Sequence, residues 1–161
     1  QKNNIDKRGS LREIYNQKIF KKNKFVFEYC TTSKANSLRG FHFQYKFQQA
    51  KYVNVIKGKI LDCVIDLRKN SKTFGEHFAI KMSYDSNFSL YIPSGFAHGF
   101  LCLSKSCCVY YKCTNYREKE SEKTIYWNDV DLNINWPIKK PILSKKDKAG
   151  ISLKQYINEI N

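Results

Sequence analysis

The chain has 161 residues, of which 42% are hydrophobic and 15% aromatic, so it is long enough for one ordinary domain and too aromatic for a disordered chain. No apolar run approaches the ~20 residues of a membrane-spanning helix, and we expect no membrane partner. The formal net charge of +15 comes from lysines spread over the whole chain, without a basic helix, zinc-finger spacing or RNA-binding signature. We therefore expect no nucleic-acid partner; a solvated basic surface and a diphosphate-bearing ligand both fit this charge.

In chain order, the predicted elements are a short helix near residues 16–20, then six strands, then a C-terminal helix. The strands are predicted at 52–56, 59–67, 78–83, 88–92, 99–103 and 108–113. Strands at such short spacing are typical of an all-β sandwich or barrel. No repeat or linker divides the sequence, which predicts a single domain over residues 1–161.

Two of these elements show a clear periodicity. In 59–67, Ile60, Asp62, Val64 and Asp66 fall on one face of the strand, and the residues between them fall on the other. In the C-terminal helix, Leu153, Tyr156, Ile157 and Ile160 fall on one face.

The six cysteines include no C-x-x-C pair and no regular framework, and three of them lie inside apolar runs. Free cysteine in such runs behaves as a small hydrophobe. Since no basic-then-apolar signal segment is visible either, we expect reduced thiols and a cytoplasmic protein.

Two of the three histidines lie in informative contexts. His42 stands between Phe41 and Phe43 in "RGFHFQ", where a core role and a catalytic role are both possible. His98 follows a Pro-x-Gly turn in "IPSGFAHGF", a recurring feature of the second half of cupin barrels. The first half of a metal-binding cupin carries His-x-His, whereas this chain has Gln44 in the second position, so we expect no metal site and no cofactor.

Several segments, in register, resemble the dTDP-4-dehydrorhamnose 3,5-epimerase family. They are "DKRG" (6–9), "LRGFHFQ" (38–44), "QAKYVNVIKGKILDCVIDLRKNSKTFG" (49–75), "LYIPSGFAHGF" (90–100), "YKCTNY" (111–116), "WNDVDLNINWP" (127–137) and "LSKKD" (143–147). The resemblance covers nearly the whole chain, although the family's first strand, before "DKRG", is cut short. It implies a cupin-type jelly-roll β-barrel with short peripheral helices, including the C-terminal one.

The resemblance also implies a cofactor-independent epimerase of a nucleotide-linked 4-keto-6-deoxy sugar, of the kind that serves deoxysugar biosynthesis for surface polysaccharide. His42 would be the base, Asp147 its carboxylate partner, Tyr111 the proton donor and Lys51 the cation beside the keto oxygen. Tyr110 would point to the opposite face of its strand. The positions matching substrate contacts are Arg8, Glu13, Arg39, Gln44, His98, Glu122 and Lys146. The family is commonly homodimeric, with N-terminal residues reaching toward the neighbouring site.

One departure bears on the substrate. Where the family usually has Gln-Asp-Asn, this chain has Phe27-Glu28-Tyr29. The sequence therefore leaves open inversion at carbon 3 alone, a GDP-linked sugar, and a non-catalytic sugar-binding cupin.

Overall fold

The computed structural model describes residues 3–160. This part of the chain is dominated by strands, namely β1 (Asn3–Asp6), β2 (Gly9–Arg12), β3 (Phe27–Lys34), β4 (Leu38–Gln44), β5 (Lys51–Lys57), β6 (Lys59–Asp66), β7 (His77–Ser83), β8 (Leu90–Ile92), β9 (Phe96–Cys102), β10 (Ser106–Cys113) and β11 (Glu122–Thr124). The α-helices are α1 (Lys145–Lys148) and α2 (Leu153–Ile160), and 3-10 helices cover Gln17–Ile19 and Lys119–Ser121.

The strands form two facing antiparallel sheets and one separate hairpin. One sheet has the order β3-β10-β5-β8, the other has the order β11-β4-β9-β6-β7, and β1 pairs with β2. Neighbours that are distant in sequence, such as β10 beside both β3 and β5, are typical of a jelly roll. The expected all-β, cupin-type architecture is confirmed.

The predicted strands are present, with shifted ends. The strand expected at 88–92 is shorter, as Leu90–Ile92, and the one expected at 99–103 begins earlier, at Phe96. His98 is therefore inside β9 and not at its start. The helix expected near 16–20 is a single 3-10 turn, capped by the Asn16 side chain and ended at Phe20, whose ring packs on Tyr52 of β5.

The predicted alternation along β6 is confirmed, and its two faces belong to two different hydrophobic cores. Ile60 and Val64 pack between the two sheets. Cys63 and Ile65 belong to a second core on the other face of the five-stranded sheet, which the C-terminal segment covers. Strand β6 is thus buried on both faces, which explains why apolar residues occupy both of them.

Helix α2 closes this second core. Leu153 and Tyr156 are buried, and Ile157 and Ile160 pack against the same cluster, as the helical periodicity predicted. The Tyr156 ring meets Phe43 edge-on at 5.2 Å between centroids. The C-terminal helix therefore anchors the outer face of β4, the strand that carries His42.

Strand β4 comes unusually close to β9 at Gly40. Its φ is +127°, and a Cβ there would lie 2.4 Å from Gly99 Cα. Only glycine combines this backbone conformation with such an approach. The register between the strands shifts here, between Arg39 and His42.

The β1–β2 hairpin presents apolar side chains to solvent. Ile5 and Leu11 are 78% and 67% exposed. Within residues 3–160, no helix is both long and apolar enough to cross a bilayer.

Candidate active site

A cavity of about 380 Å³ lies between the two sheets. The five-stranded sheet contributes His42, Gln44 and His98, and the four-stranded sheet contributes Lys51 and Tyr111. Two antiparallel walls with period-two alternation can therefore present polar side chains to one enclosed space from opposite sides.

His42 faces this cavity because its neighbours face away. Phe41 and Phe43 belong to the outer core, where Phe41 packs on Trp136 at 5.9 Å between ring centroids. His42 lies between them on the strand, and its side chain is 35% exposed. Alternation on β4 thus anchors the strand with two aromatic rings and leaves the imidazole toward the cavity.

Asp147 holds the imidazole. His42 Nε2 lies 2.6 Å from Asp147 Oδ1. The carboxylate is buried on α1, where it accepts from the Ser144 hydroxyl at 2.6 Å and from the Gly40 amide at 3.3 Å. An imidazole that donates Nε2–H to a carboxylate presents an unprotonated Nδ1, the arrangement of a general base.

Burial and hydrogen bonding act in opposite directions on this pair. Burial lowers the pKa of His42, while the hydrogen bond to Asp147 partly offsets that shift. For Asp147, burial would raise the pKa, but hydrogen bonds from His42 and Ser144 outweigh it and bring the pKa to about 2. At neutral pH the pair is therefore a neutral imidazole beside a carboxylate.

Tyr111 reaches the cavity from the opposite sheet. It is 3% exposed, and burial raises the pKa of its phenol well above the ordinary value. Such a phenol keeps its proton at neutral pH, so it can donate and cannot act as a base. Tyr110 points to the outer face, as predicted, where its hydroxyl donates to Glu28 at 2.6 Å.

Lys51 brings a cation to the same space. It is 8% exposed, and its Nζ donates to the backbone carbonyl of His42 over 3.4 Å. Burial lowers the pKa of this amine. A partly desolvated ammonium near the base is placed to stabilise negative charge that develops on a substrate oxygen.

His98 forms a second imidazole–carboxylate pair, with Asp62. Its Nε2 lies 2.8 Å from Asp62 Oδ2, and both side chains are almost fully buried. The family resemblance implied His98 in the pocket, but its partner Asp62 was not predicted. The alternation of 59–67 could have revealed this partner. It puts Asp62 on the same face as Ile60 and Val64, and a carboxylate buried among apolar residues needs a partner.

The cavity lining is rich in cations. Among the described residues, Arg39, Lys51, Arg117 and Lys146 line it together with one carboxylate, Glu122. Hydrogen bonds from Arg117, together with those from Lys146, lower the pKa of Glu122 to about 2. This excess of positive charge suits an anion such as a diphosphate.

Some of the residues predicted to contact the substrate line the cavity. Arg39 donates to Ser33 Oγ at 2.9 Å, and Gln44 donates to the Phe47 carbonyl at 2.8 Å. Both line the cavity, as do Glu122 and Lys146. Arg117 was not predicted, since an arginine beyond "YKCTNY" has no distinguishing pattern.

Arg8 and Glu13 lie outside this cavity. Arg8 is 91% exposed in its side chain and pairs with Asp6 at 2.6 Å, two residues away. Glu13 accepts from the Asn16 amide at 3.4 Å. Their predicted substrate contact therefore has no counterpart within the chain's own cavity.

Among the described residues, no three His, Cys, Asp or Glu side chains are grouped closely enough to hold a metal ion. Each of His42 and His98 instead faces one carboxylate. What the cavity offers is proton transfer from two sides with a cation nearby.

Comparison with known proteins identifies the family of the chain. A family model described as dTDP-4-dehydrorhamnose 3,5-epimerase matches residues 1–155. The enzyme of that name from Methanothermobacter thermautotrophicus is 43% identical over 157 residues, covering 93% of this chain and 85% of the relative. The enzyme from Shigella flexneri is 39% identical, covering 90% of this chain and 83% of the relative.

Solved structures extend the likeness to the whole fold. A 3,5-epimerase from Legionella pneumophila, in complex with dTDP-4-keto-L-rhamnose, has a TM-score of 0.94 at 35% identity, covering 99% of this chain and 88% of the other. ChmJ, a 3'-monoepimerase from Streptomyces bikiniensis in complex with dTDP-quinovose, has a TM-score of 0.91 at 27% identity, covering 98% and 83%. Fold and matches define a cupin-fold isomerase. The chain belongs to the dTDP-4-dehydrorhamnose 3,5-epimerase family.

Proposed function

We propose that the protein epimerises a dTDP-linked 4-keto-6-deoxy sugar at carbon 3, carbon 5 or both, without a cofactor, in deoxysugar biosynthesis. The observation that carries this proposal is the placement of the His42–Asp147 pair and Tyr111 on opposite sheets around one cavity. Inverting a carbon centre needs a base on one face of the sugar and an acid on the other.

The proposed reaction uses the acidity of hydrogens beside a ketone. His42 Nδ1 removes the proton from carbon 3 or 5, and the electron pair of that bond forms an enolate whose negative charge rests on the oxygen at carbon 4. Lys51 stabilises that oxygen. Tyr111 then gives its proton to the opposite face of the same carbon, the ketone re-forms, and solvent reprotonates the phenolate as His42 releases its proton.

The substrate class is supported by the cationic lining. A nucleotide diphosphate carries negative charge that Arg39 and Lys51 can balance, together with the one net positive charge left after Arg117 and Lys146 pair with Glu122. The relative from Legionella pneumophila binds a dTDP-linked sugar. Inversion at carbon 3 alone is the second candidate, favoured by the likeness to the Streptomyces monoepimerase.

Proton NMR in deuterated water tests the function. The wild-type protein is incubated with dTDP- and GDP-linked 4-keto-6-deoxy sugars. The loss of the proton signals of the hydrogens on carbons 3 and 5 is followed. We expect exchange and inversion with the dTDP-linked sugar. Exchange at carbon 3 alone would assign the monoepimerase, and faster exchange with the GDP-linked sugar would reassign the nucleotide.

The same experiment separates the enzyme from other classes. A non-catalytic sugar-binding cupin predicts binding without exchange at either carbon. A metal-dependent cupin predicts stoichiometric iron, zinc or manganese by elemental analysis and loss of activity with a chelator. The absence of exchange with every sugar tested would rule out the proposed function.

We also propose that the protein is a homodimer and that it is cytoplasmic. The exposed Ile5 and Leu11 support the dimer, as does the position of Arg8 and Glu13 outside their own cavity, where a neighbouring cavity could use them. The cytoplasmic location is supported by six free cysteines, four of them buried.

A further inference from the structure

We propose that Tyr29 is a positioning residue, which fixes the ring of Tyr111 so that its hydroxyl faces the carbon to be protonated. This inference rests on the proposed function, because it concerns the acid of that reaction. It gives a role to a residue at a position where this chain departs from the family's usual Gln-Asp-Asn.

The two tyrosines are directly paired. Tyr29 on β3 lies opposite Tyr111 on β10, and both side chains are on the cavity side of the sheet. Their rings are stacked, with centroids 4.6 Å apart and planes at 12°. Parallel rings at this distance are in full contact, so the Tyr111 ring cannot turn toward β3 without displacing Tyr29.

Tyr29 is itself held in place. Tyr29 packs against the hydrophobic core between the two sheets, and its ring meets that of Phe27 at 5.4 Å between centroids. The stacking surface offered to Tyr111 is therefore held by the core and by a neighbouring ring.

His98 limits Tyr111 from another direction. Its ring lies 5.8 Å from the Tyr111 centroid at 66°, an edge-on contact, and the pair with Asp62 fixes its own orientation. Tyr111 is thus in contact with two restrained rings. Proton transfer to carbon depends steeply on the direction of the O–H bond, so this restraint bears on the acid step.

A displaced acid leaves a distinct chemical signature. The base can still remove the proton, exchange it with solvent and return it to the same face, which labels the carbon without inverting it. Inversion requires Tyr111. The ratio of inversion to deuterium exchange therefore reports on the acid alone, whereas general structural damage would reduce both rates together.

The experiment compares Tyr29→Leu and Tyr29→Phe with the wild type, with dTDP-4-keto-6-deoxyglucose in deuterated water. We expect Tyr29→Leu to lower the inversion-to-exchange ratio and kcat by about 2- to 12-fold, from the worth of one aromatic pair. KM should change little. Tyr29→Phe keeps the stacked ring and should retain the wild-type ratio within about twofold. The matched control is Tyr110→Leu, which removes a tyrosine from the outer face of β10, the strand of Tyr111, and should leave the ratio unchanged.

The possible results are distinguishable. No exchange by the wild type would overturn the proposed function itself. With an active wild type, an unchanged ratio in Tyr29→Leu would overturn the positioning role, whether both rates stay the same or both fall equally. A Tyr29→Phe variant as impaired as Tyr29→Leu would overturn the role of the ring and assign the effect to the hydroxyl.

Discussion

At the scale of single residues, the pKa of His42 is set by burial and by the hydrogen bond to Asp147, which act in opposite directions. Burial lowers the pKa of His42, and the hydrogen bond to Asp147 limits that shift. A lowered pKa means that protonation, and with it loss of the base, occurs at a lower pH than for an ordinary histidine.

This balance gives a prediction for pH dependence. Replacing Asp147 by Asn removes the contribution that raises the pKa of His42, so the acidic limb of the kcat/KM profile should move to lower pH. The maximal rate should fall by about 100-fold or more, because the imidazole loses its orientation and part of its basicity. The measurement is kcat/KM from pH 4 to 9, a range of about five pH units around the ordinary histidine value.

Asp129→Asn is the matched control, since Asp129 is a buried carboxylate that accepts from the Leu153 amide outside the cavity. Its profile should keep the wild-type limb. A limb that moves upward in Asp147→Asn, or does not move, would contradict the assignment of His42 as the titrating base.

At the scale of elements, the active site depends on how closely β4 approaches β9. Gly40 allows that approach, and Thr124 of β11 and His98 of β9 flank His42 on its two sides in the sheet. A change in this spacing would shift His42 relative to Asp147, which also accepts from the Gly40 amide.

Gly40→Ala should therefore be strongly destabilising. A Cβ 2.4 Å from Gly99 Cα cannot be accommodated without moving a strand, and φ is +127°. We expect a loss of about 2–5 kcal/mol in the free energy of unfolding, measured by urea denaturation.

Gly75→Ala is the matched control. Its φ is also positive, at +80°, but a Cβ there meets only a leucine methyl at 3.4 Å. It should cost about 1–2 kcal/mol, the conformational part alone. Equal losses of unfolding free energy in the two variants would show that the close approach of β4 to β9 adds nothing to the cost of Gly40→Ala.

The elements also show what the sequence can and cannot predict. Alternation alone placed Ile60 and Asp62 on one face of β6 and faced His42 away from its two phenylalanines, because these are properties of one strand. The Tyr29–Tyr111 stack, the Asp62–His98 pair and Arg117 depend on which strands lie side by side. Cross-strand register is a tertiary property, and no local pattern in a single sequence encodes it.

At the scale of the whole molecule, the net charge of +15 bears on substrate capture. A nucleotide sugar is an anion, and a cationic surface around a cationic cavity raises its rate of association. Raising salt from about 0.05 M to about 0.5 M should increase KM about threefold or more with little change in kcat.

Lys146→Gln should raise KM and reduce this salt dependence, because Lys146 lines the cavity. Lys139→Gln, outside the lining, is the control and should do neither. A KM that is independent of salt in the wild type would contradict electrostatic capture.

The hairpin gives a prediction about assembly. Leu11→Glu places a charge on an exposed apolar position of β2 and should shift the protein from dimer to monomer in sedimentation velocity. Val130→Glu, at a position that is 87% exposed outside the hairpin, should leave the dimer intact. A monomeric wild type would contradict the proposed assembly.

The opposed roles of His42 and Tyr111 are tested most directly by one NMR measurement on His42→Ala and Tyr111→Phe, with dTDP-4-keto-6-deoxyglucose in deuterated water. His42→Ala should abolish deuterium exchange at carbons 3 and 5, because no base remains. Tyr111→Phe should still exchange but should lose inversion by about 100-fold or more. Exchange at the wild-type rate in His42→Ala, or undiminished inversion in Tyr111→Phe, would contradict the assignment of base and acid to the two walls of the cavity.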